Sequence, residues 1–304
     1  MITKAAYKTG ILMYSPATNK TIAKHFTEWK TAGLNSLCIC LEDSVSEAEL
    51  PEAEANVIPT LIQLLDIKGK VNIYIRVRNP EQYERFAKQY MGIAKLIDGF
   101  VFPKFNSLNA LKYIEVFNRY YKGASVFMPT FETFDIMSIF TRIQTLKELR
   151  DILRQCEESV LSIRVGGADF SGYYGMRRRI DETIYENNPV TNCLTDIVNA
   201  FGRDYLISAP VYEFFGGNFE TALSRETRLD FLNGFTGKTI IHPKQIPVVK
   251  TAMRPTETEY AEAKQILEGN KAVEKSVGQR MNEKTVHTVW AKRIYAMQYI
   301  TEAK

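Results

Sequence analysis

Glu132 follows the apolar run FMPTF, and Asp169 follows RVGGA. Two carboxylates at the ends of neighbouring strands, with water in the remaining positions, suit an octahedral Mg²⁺ site. Both residues also precede possible helical turns, where a negative charge is favourable, so helix capping explains them equally well. Glu42 and Asp43 stand side by side at the end of LCIC, in LCICLEDSV. Arg76 lies inside the apolar run IYIRV and needs an anionic partner if buried. That partner is either the Glu42–Asp43 pair or a substrate oxygen, a carboxylate or a developing enolate. Lys104, in VFPKF, is either a lysine reaching out from a strand end or a Schiff-base nucleophile. His242, in GKTIIHPKQ, reads as the end of a last strand. Arg177, Arg178 and Arg179 follow in YYGMRRRIDE. They read first as a solvated helix face and second as a phosphate clamp.

The elements that position these residues follow from the apolar pattern. Runs rich in Ile, Val, Tyr and Phe recur at 11–15, 36–43, 71–77, 99–104, 125–132, 160–169, 204–210 and 238–244. Several are apolar throughout, as in strands covered on both faces. Segments of helical character lie between or after them at 18–31, 51–67, 81–95, 107–121, 133–155, 190–202, 217–233 and 244–253. Eight alternations predict an α/β fold, a (β/α)₈ TIM barrel, with a doubly wound open sheet as the alternative. In such barrels the active site lies at the C-terminal ends of the strands. Glu42 and Asp43, Arg76, Lys104, Glu132, Gly167 with Asp169, and His242 all fall at such ends. The barrel is expected over residues 1–254 and a C-terminal helical extension over 255–304. In the extension Thr256 and Glu259 form a capping box, and Val286, Trp290, Ile294 and Met297 share a helical face. The extension is too short for a core of its own, so it should pack on the barrel or on a neighbouring subunit.

Bulk properties exclude several classes. A formal net charge of +4 over 304 residues is too small to argue for a nucleic-acid partner. No apolar run approaches a membrane span, and the N-terminus lacks a signal-peptide pattern. Four cysteines, with Cys38 and Cys40 on one face of a strand, read as buried thiols in a cytoplasmic protein rather than as a zinc site.

At these residues the sequence resembles the HpcH/HpaI aldolase / citrate lyase beta subunit family. LEDSV (41–45), RVRN (76–79), FPK (102–104), MPTFET (128–133), GGADF (166–170), GFTGKTIIHPKQI (234–246) and RPTETEYAEAKQIL (254–267) carry the resemblance. It implies a Mg²⁺-dependent carbon–carbon lyase or aldolase, usually oligomeric, working beside a carboxylate through a metal-stabilised enolate. Glu132 and Asp169 would be the metal ligands. Arg76 would bind the carbonyl or enolate oxygen of a keto acid. Glu42 and Asp43 would hold Arg76 and metal-bound water, and Lys104 would orient rather than form a Schiff base. Gly167 and His242 would join the substrate contacts. The chain departs from the family pattern in its acidic SEAELPEAEANV stretch, at Ala168 and in its Arg-rich loop. In this it is similar to the lyase-like proteins encoded with bacterial tellurium-resistance operons. A phosphorylated or nucleotide-like substrate then competes with an acyl-CoA, and Arg177, Arg178 and Arg179 are where its anion would bind. An acyl-CoA thioester hydrolase or synthase on the same site, and a non-catalytic binding barrel, are the alternatives. A small-molecule substrate, a homo-oligomer, and neither nucleic acid nor membrane are the expected partners.

Overall fold

The computed structural model describes residues 3–301. Eight strands, β1 (Ile11–Pro16), β2 (Ser36–Cys40), β3 (Asn72–Arg76), β4 (Gly99–Phe102), β5 (Val126–Phe131), β6 (Ile163–Val165), β7 (Ile207–Ser208) and β8 (Lys238–Ile240), pair in parallel in the order 7-6-5-4-3-2-1-8. The open-sheet alternative fails at the last seam. There Ala209 bridges Lys238, and the Ala209 N–H donates to the Gly237 carbonyl at 3.1 Å. A side chain at Gly237 would meet the Gly10 carbonyl at 2.8 Å, so this glycine lets the closing strand approach β1. The barrel is closed, and its strand ends form one rim.

Alternation along each strand sorts the side chains. On β2, Leu37 and Ile39 join the core beneath the helices, while Cys38 packs with Leu12, Tyr74, Val101, Met128, Leu161 and Leu206 inside the barrel. Ala6, on an N-terminal helix (Lys4–Thr9) absent from the sequence expectation, joins that inner cluster. All four cysteines are buried and free.

Local signals set the helix ends. Asn79 caps Pro80–Gln89 by accepting from the Gln82 N–H at 2.8 Å, with proline in the first turn. That helix and Ala110–Tyr120 press Tyr83, Tyr113 and Phe117 against Phe100, Phe102 and Phe127, with ring centroids as close as 4.6 Å. Each buried ring contributes about 1.5–3 kcal/mol. The cluster fixes β4 and β5, which carry Lys104 and Glu132.

The structure differs from the expected elements in places. The helix expected over 133–155 is two, Phe134–Met137 and Arg142–Arg154. The Arg142 guanidinium fixes the break by donating to the carbonyls of Ile136 at 2.9 Å and Met137 at 2.6 Å. The polar stretch after Gly269 carries a two-stranded antiparallel hairpin, β9 (Val273–Lys275) with β10 (Met281–Glu283). The Thr256–Glu259 capping box is present on helix Glu257–Glu268. The following helix, Lys284–Ala296, buries Ala291 and Ile294 but exposes Val286, because Ala291 takes the inward position. Ala263, Ile266, Ala291 and Ile294 form a small cluster of their own. Met297 and Ile300 enter the main core, and Asn35 donates to the Ile300 carbonyl at 3.0 Å. The extension therefore ends at the foot of its own barrel, opposite the rim. No helix among the described residues is long and apolar enough to cross a membrane.

Candidate active site

Arg76, on the last residue of β3, is the hub of the rim. It is 6% exposed, and its Nη2 lies 2.7 Å from Glu42 Oε2, 3.1 Å from Asp43 Oδ2 and 3.0 Å from Glu132 Oε1. Lys104 Nζ pairs with Glu42 Oε1 and, at 2.9 Å, with Asp43 Oδ1. The Lys104 backbone takes a left-handed conformation, φ 46°, uncommon for a residue with a side chain. This aims its N–H at Glu132 Oε1, 2.9 Å away. One oxygen of Glu132 is thereby held from two sides. Its other oxygen makes no hydrogen bond among the described residues. A side chain at Gly166 would meet that second oxygen at 2.2 Å, so the glycine keeps space for it.

Asp169 lies in the first turn of a short helix, Gly167–Tyr173, and faces the same cavity. Among the described residues it makes no hydrogen bond or ion pair. Neither carboxylate caps a helix through its side chain.

The electrostatics are those of a site short of positive charge. Burial raises the Glu132 pKa against the pull of Arg76, and the charge of Asp169 adds to the rise. Burial and then the charge of Asp43 raise Asp169. Burial also raises Glu42, against Arg76. Burial pushes Asp43 the same way, but its hydrogen bond with Glu42 and the charges of Arg76 and Lys104 prevail and hold it at about 2. Burial works against the Lys104 ammonium, yet its bonds to Glu42 and Asp43 raise its pKa. A lysine held protonated is a poor Schiff-base nucleophile.

Four carboxylates against their ion-pair partners Arg76 and Lys104 leave a formal charge of −2 at the rim, and −1 when Arg164 of the same cavity is counted, so the site favours a cation. The free oxygens that Glu132 and Asp169 offer are carboxylate, a hard donor set that fits Mg²⁺ better than a soft metal. Among the described residues no group of three or more His, Cys, Asp or Glu forms a ready-made metal cage, so Glu132 and Asp169 would act as a pair with water and substrate completing the shell.

A cavity of about 200 Å³ opens between these groups. Its lining includes Tyr14, Asp43, Arg76, Glu132, Arg164 and Asp169. Gly167 is buried beside Ile184 and Pro210; its neighbours Gly166 and Ala168 line the cavity instead. His242 stacks on Phe215 at 4.7 Å, outside the lining, while Ile241 stands at the wall. The arginine run divides. Arg178 donates to Glu213 and the Val211 carbonyl, each at 2.6 Å, and pairs with buried Glu226. Arg177 and Arg179 are exposed. Arg178 thus belongs to a buried network in which Lys238 bridges Glu226 and Asp230, each at 2.7 Å.

Sequence reasoning missed Tyr14, Thr130, Thr239 and above all Arg164. Arg164 carried the signal that drew attention to Arg76, a guanidinium inside an apolar strand.

A family model, C–C bond lyase of the TIM-barrel fold, matches residues 3–300. The chain belongs to this family. It is a carbon–carbon lyase by that membership, and the barrel rim described above is the lyase's candidate active site. No curated protein sequence matches it. Solved structures share the lyase's fold at low identity. A citrate lyase from Burkholderia xenovorans has a TM-score of 0.76 at 14% identity, over 97% of this chain and 92% of that one. The protein CitE from Mycobacterium tuberculosis, in complex with magnesium, acetoacetate and coenzyme A, has a TM-score of 0.67 at 19% identity, over 97% and 99%. The M. tuberculosis citrate lyase beta subunit complexed with oxaloacetate and magnesium has a TM-score of 0.59 at 20% identity, over 82% and 99%.

Proposed function

We propose that this lyase is Mg²⁺-dependent and makes or breaks a carbon–carbon bond in a keto-acid-derived substrate through an enolate. The observation that carries the reading is the free oxygen Glu132 Oε2 beside the Asp169 carboxylate, both without hydrogen-bond partners among the described residues, next to a buried arginine that holds the other Glu132 oxygen. These two would hold the metal. A bound Mg²⁺ would supply Lewis-acid polarisation of the substrate carbonyl. All three Arg76 ion pairs run through Nη2, and Nε has no partner. The guanidinium thus has N–H groups left to donate to the oxygen that becomes the enolate. Glu42 and Asp43 would position Arg76, and Lys104 would hold that pair in place. Glu42, with its raised pKa, is the group best suited to take up a proton at the rim.

Binding of a phosphorylated or nucleotide-like substrate would fall to Arg177 and Arg179, since Arg178 is committed to Glu213 and Glu226. Self-association is part of the proposal. Ile139, Phe140 and Ile143, at 76%, 95% and 67% exposure, support it as an apolar surface segment.

Enolate formation tests the reading directly. Pyruvate in D₂O should exchange its methyl protons faster with the protein and Mg²⁺ present, and the gain should vanish in Arg76→Gln. Exchange at the background rate for pyruvate and for larger keto acids alike would sink the proposal.

A further inference from the structure

Arg164 is the largest fully buried side chain among the described residues, 1% exposed, and it lines the cavity. No carboxylate lies within ion-pair distance of it among the described residues. Its Nη2 donates to Thr239 Oγ1, Nη1 reaches only the Met128 sulfur at 4.0 Å, and Nε has no partner. The Tyr14 ring lies 5.7 Å from its Cζ, a partial compensation. A buried cation without a counter-charge is costly, and folds retain one chiefly where something else supplies the charge.

The surroundings match. Thr130 and Ser208 flank Arg164 in register on β5 and β7, and the hydroxyl of each is buried without a hydrogen-bond partner. Thr239 closes the tier from β8. The Arg164 guanidinium and the Thr130 and Thr239 hydroxyls line the cavity together, where an acid group of a ligand would be met by donors. Arg76 stands 5.3 Å from the centre of the same Tyr14 ring. The two guanidiniums are therefore no further apart than these two ring distances together, within reach of one small molecule. At about 200 Å³ the cavity is below the range usual for drug-sized ligands.

We propose that Arg164, with Thr130 and Thr239, is a receptor for a second carboxylate, so that the substrate's keto-acid part is a small dicarboxylate. This rests on the keto-acid reading above and adds the charge of the substrate's far end.

The test is calorimetry with Mg²⁺ and three probes, oxaloacetate, pyruvate and malonate, on the wild-type protein, Arg164→Met and Arg164→Lys. Wild type should bind oxaloacetate about tenfold or more tighter than pyruvate, the worth of one charged hydrogen-bonded contact. Arg164→Met should bring that ratio near one with pyruvate affinity unchanged, and Arg164→Lys should restore part of it. A ratio that does not move in Arg164→Met overturns the proposal. If neither keto acid binds wild type, the keto-acid reading fails. Malonate then decides the receptor separately: binding to wild type and not to Arg164→Met sustains it, and no binding ends it. The melting temperature guards against a purely structural role. Removing an unpaired buried charge should leave it unchanged or raise it, and a large fall or failure to fold in Arg164→Met would mark Arg164 as structural and overturn the proposal.

Discussion

At the scale of single residues, the rim is a set of carboxylates whose charges are only half balanced. Arg76 is the main balancing charge, so Arg76→Met should abolish enolate exchange and also lower stability by about 3 kcal/mol or more, measured by urea unfolding. The pH behaviour follows from the same imbalance. Glu132 and Asp169 have raised pKa values, so they take up protons sooner than ordinary carboxylates as pH falls. Mg²⁺ must displace those protons, and its apparent affinity should drop as pH falls from neutral into that raised range. Their cost to the metal-free fold has the opposite sign: it is felt above the raised pKa and relieved as pH falls through it. Asp43 contributes stability above its unfolded value and loses it only as pH falls towards about 2. At this scale the charged residues that meet at the rim were visible in the sequence, because charge at the end of an apolar strand is conspicuous, whereas Arg164, inside its strand, was passed over. The fate of Arg178 was not. Its partners Glu213 and Glu226 come from distant stretches, and a run of three arginines gives no sign of which one turns inward.

At the scale of elements, the barrel's strand ends set the geometry through backbone features. Gly166 at the end of β6 leaves room for Glu132, so Gly166→Ala should displace that carboxylate. We expect about tenfold weaker Mg²⁺ binding with an unchanged circular dichroism spectrum. A second element-scale device is the Lys238 bridge, which ties β8 to the helix Phe219–Leu232 through Glu226 and Asp230. Burial raises Asp230 to about 6 against the pull of Lys238. Lys238→Met would leave buried Asp230 without a cationic partner and Glu226 with Arg178 alone, and should cost about 3–5 kcal/mol by denaturant titration. Strand positions were legible from the apolar runs, since parallel strands are covered on both faces. Helix interruptions were not. The break between Met137 and Arg142 depends on a guanidinium folding back onto carbonyls, and the hairpin after Gly269 lies in a stretch with no strand-like alternation.

At the scale of the whole molecule, the eightfold alternation made the barrel readable from sequence alone, and closure came from the Ala209–Lys238 bridge that no local pattern announces. The extension packs on its own barrel, one of the two places expected for it. Met297 and Ile300 join the core beneath the helices, and Ile300 is hydrogen-bonded to Asn35. Deleting residues 255–304 should therefore lower the melting temperature sharply rather than yield an intact barrel, a result thermal unfolding would report. On this reading the rim is a divalent-metal site made by Glu132 and Asp169. Isothermal titration of Mg²⁺ into wild type, Glu132→Gln and Asp169→Asn tests it most directly. We predict one site in the wild-type protein and at least about tenfold weaker binding in each variant, the loss of one charged ligand. Equal Mg²⁺ affinity in all three proteins would contradict it.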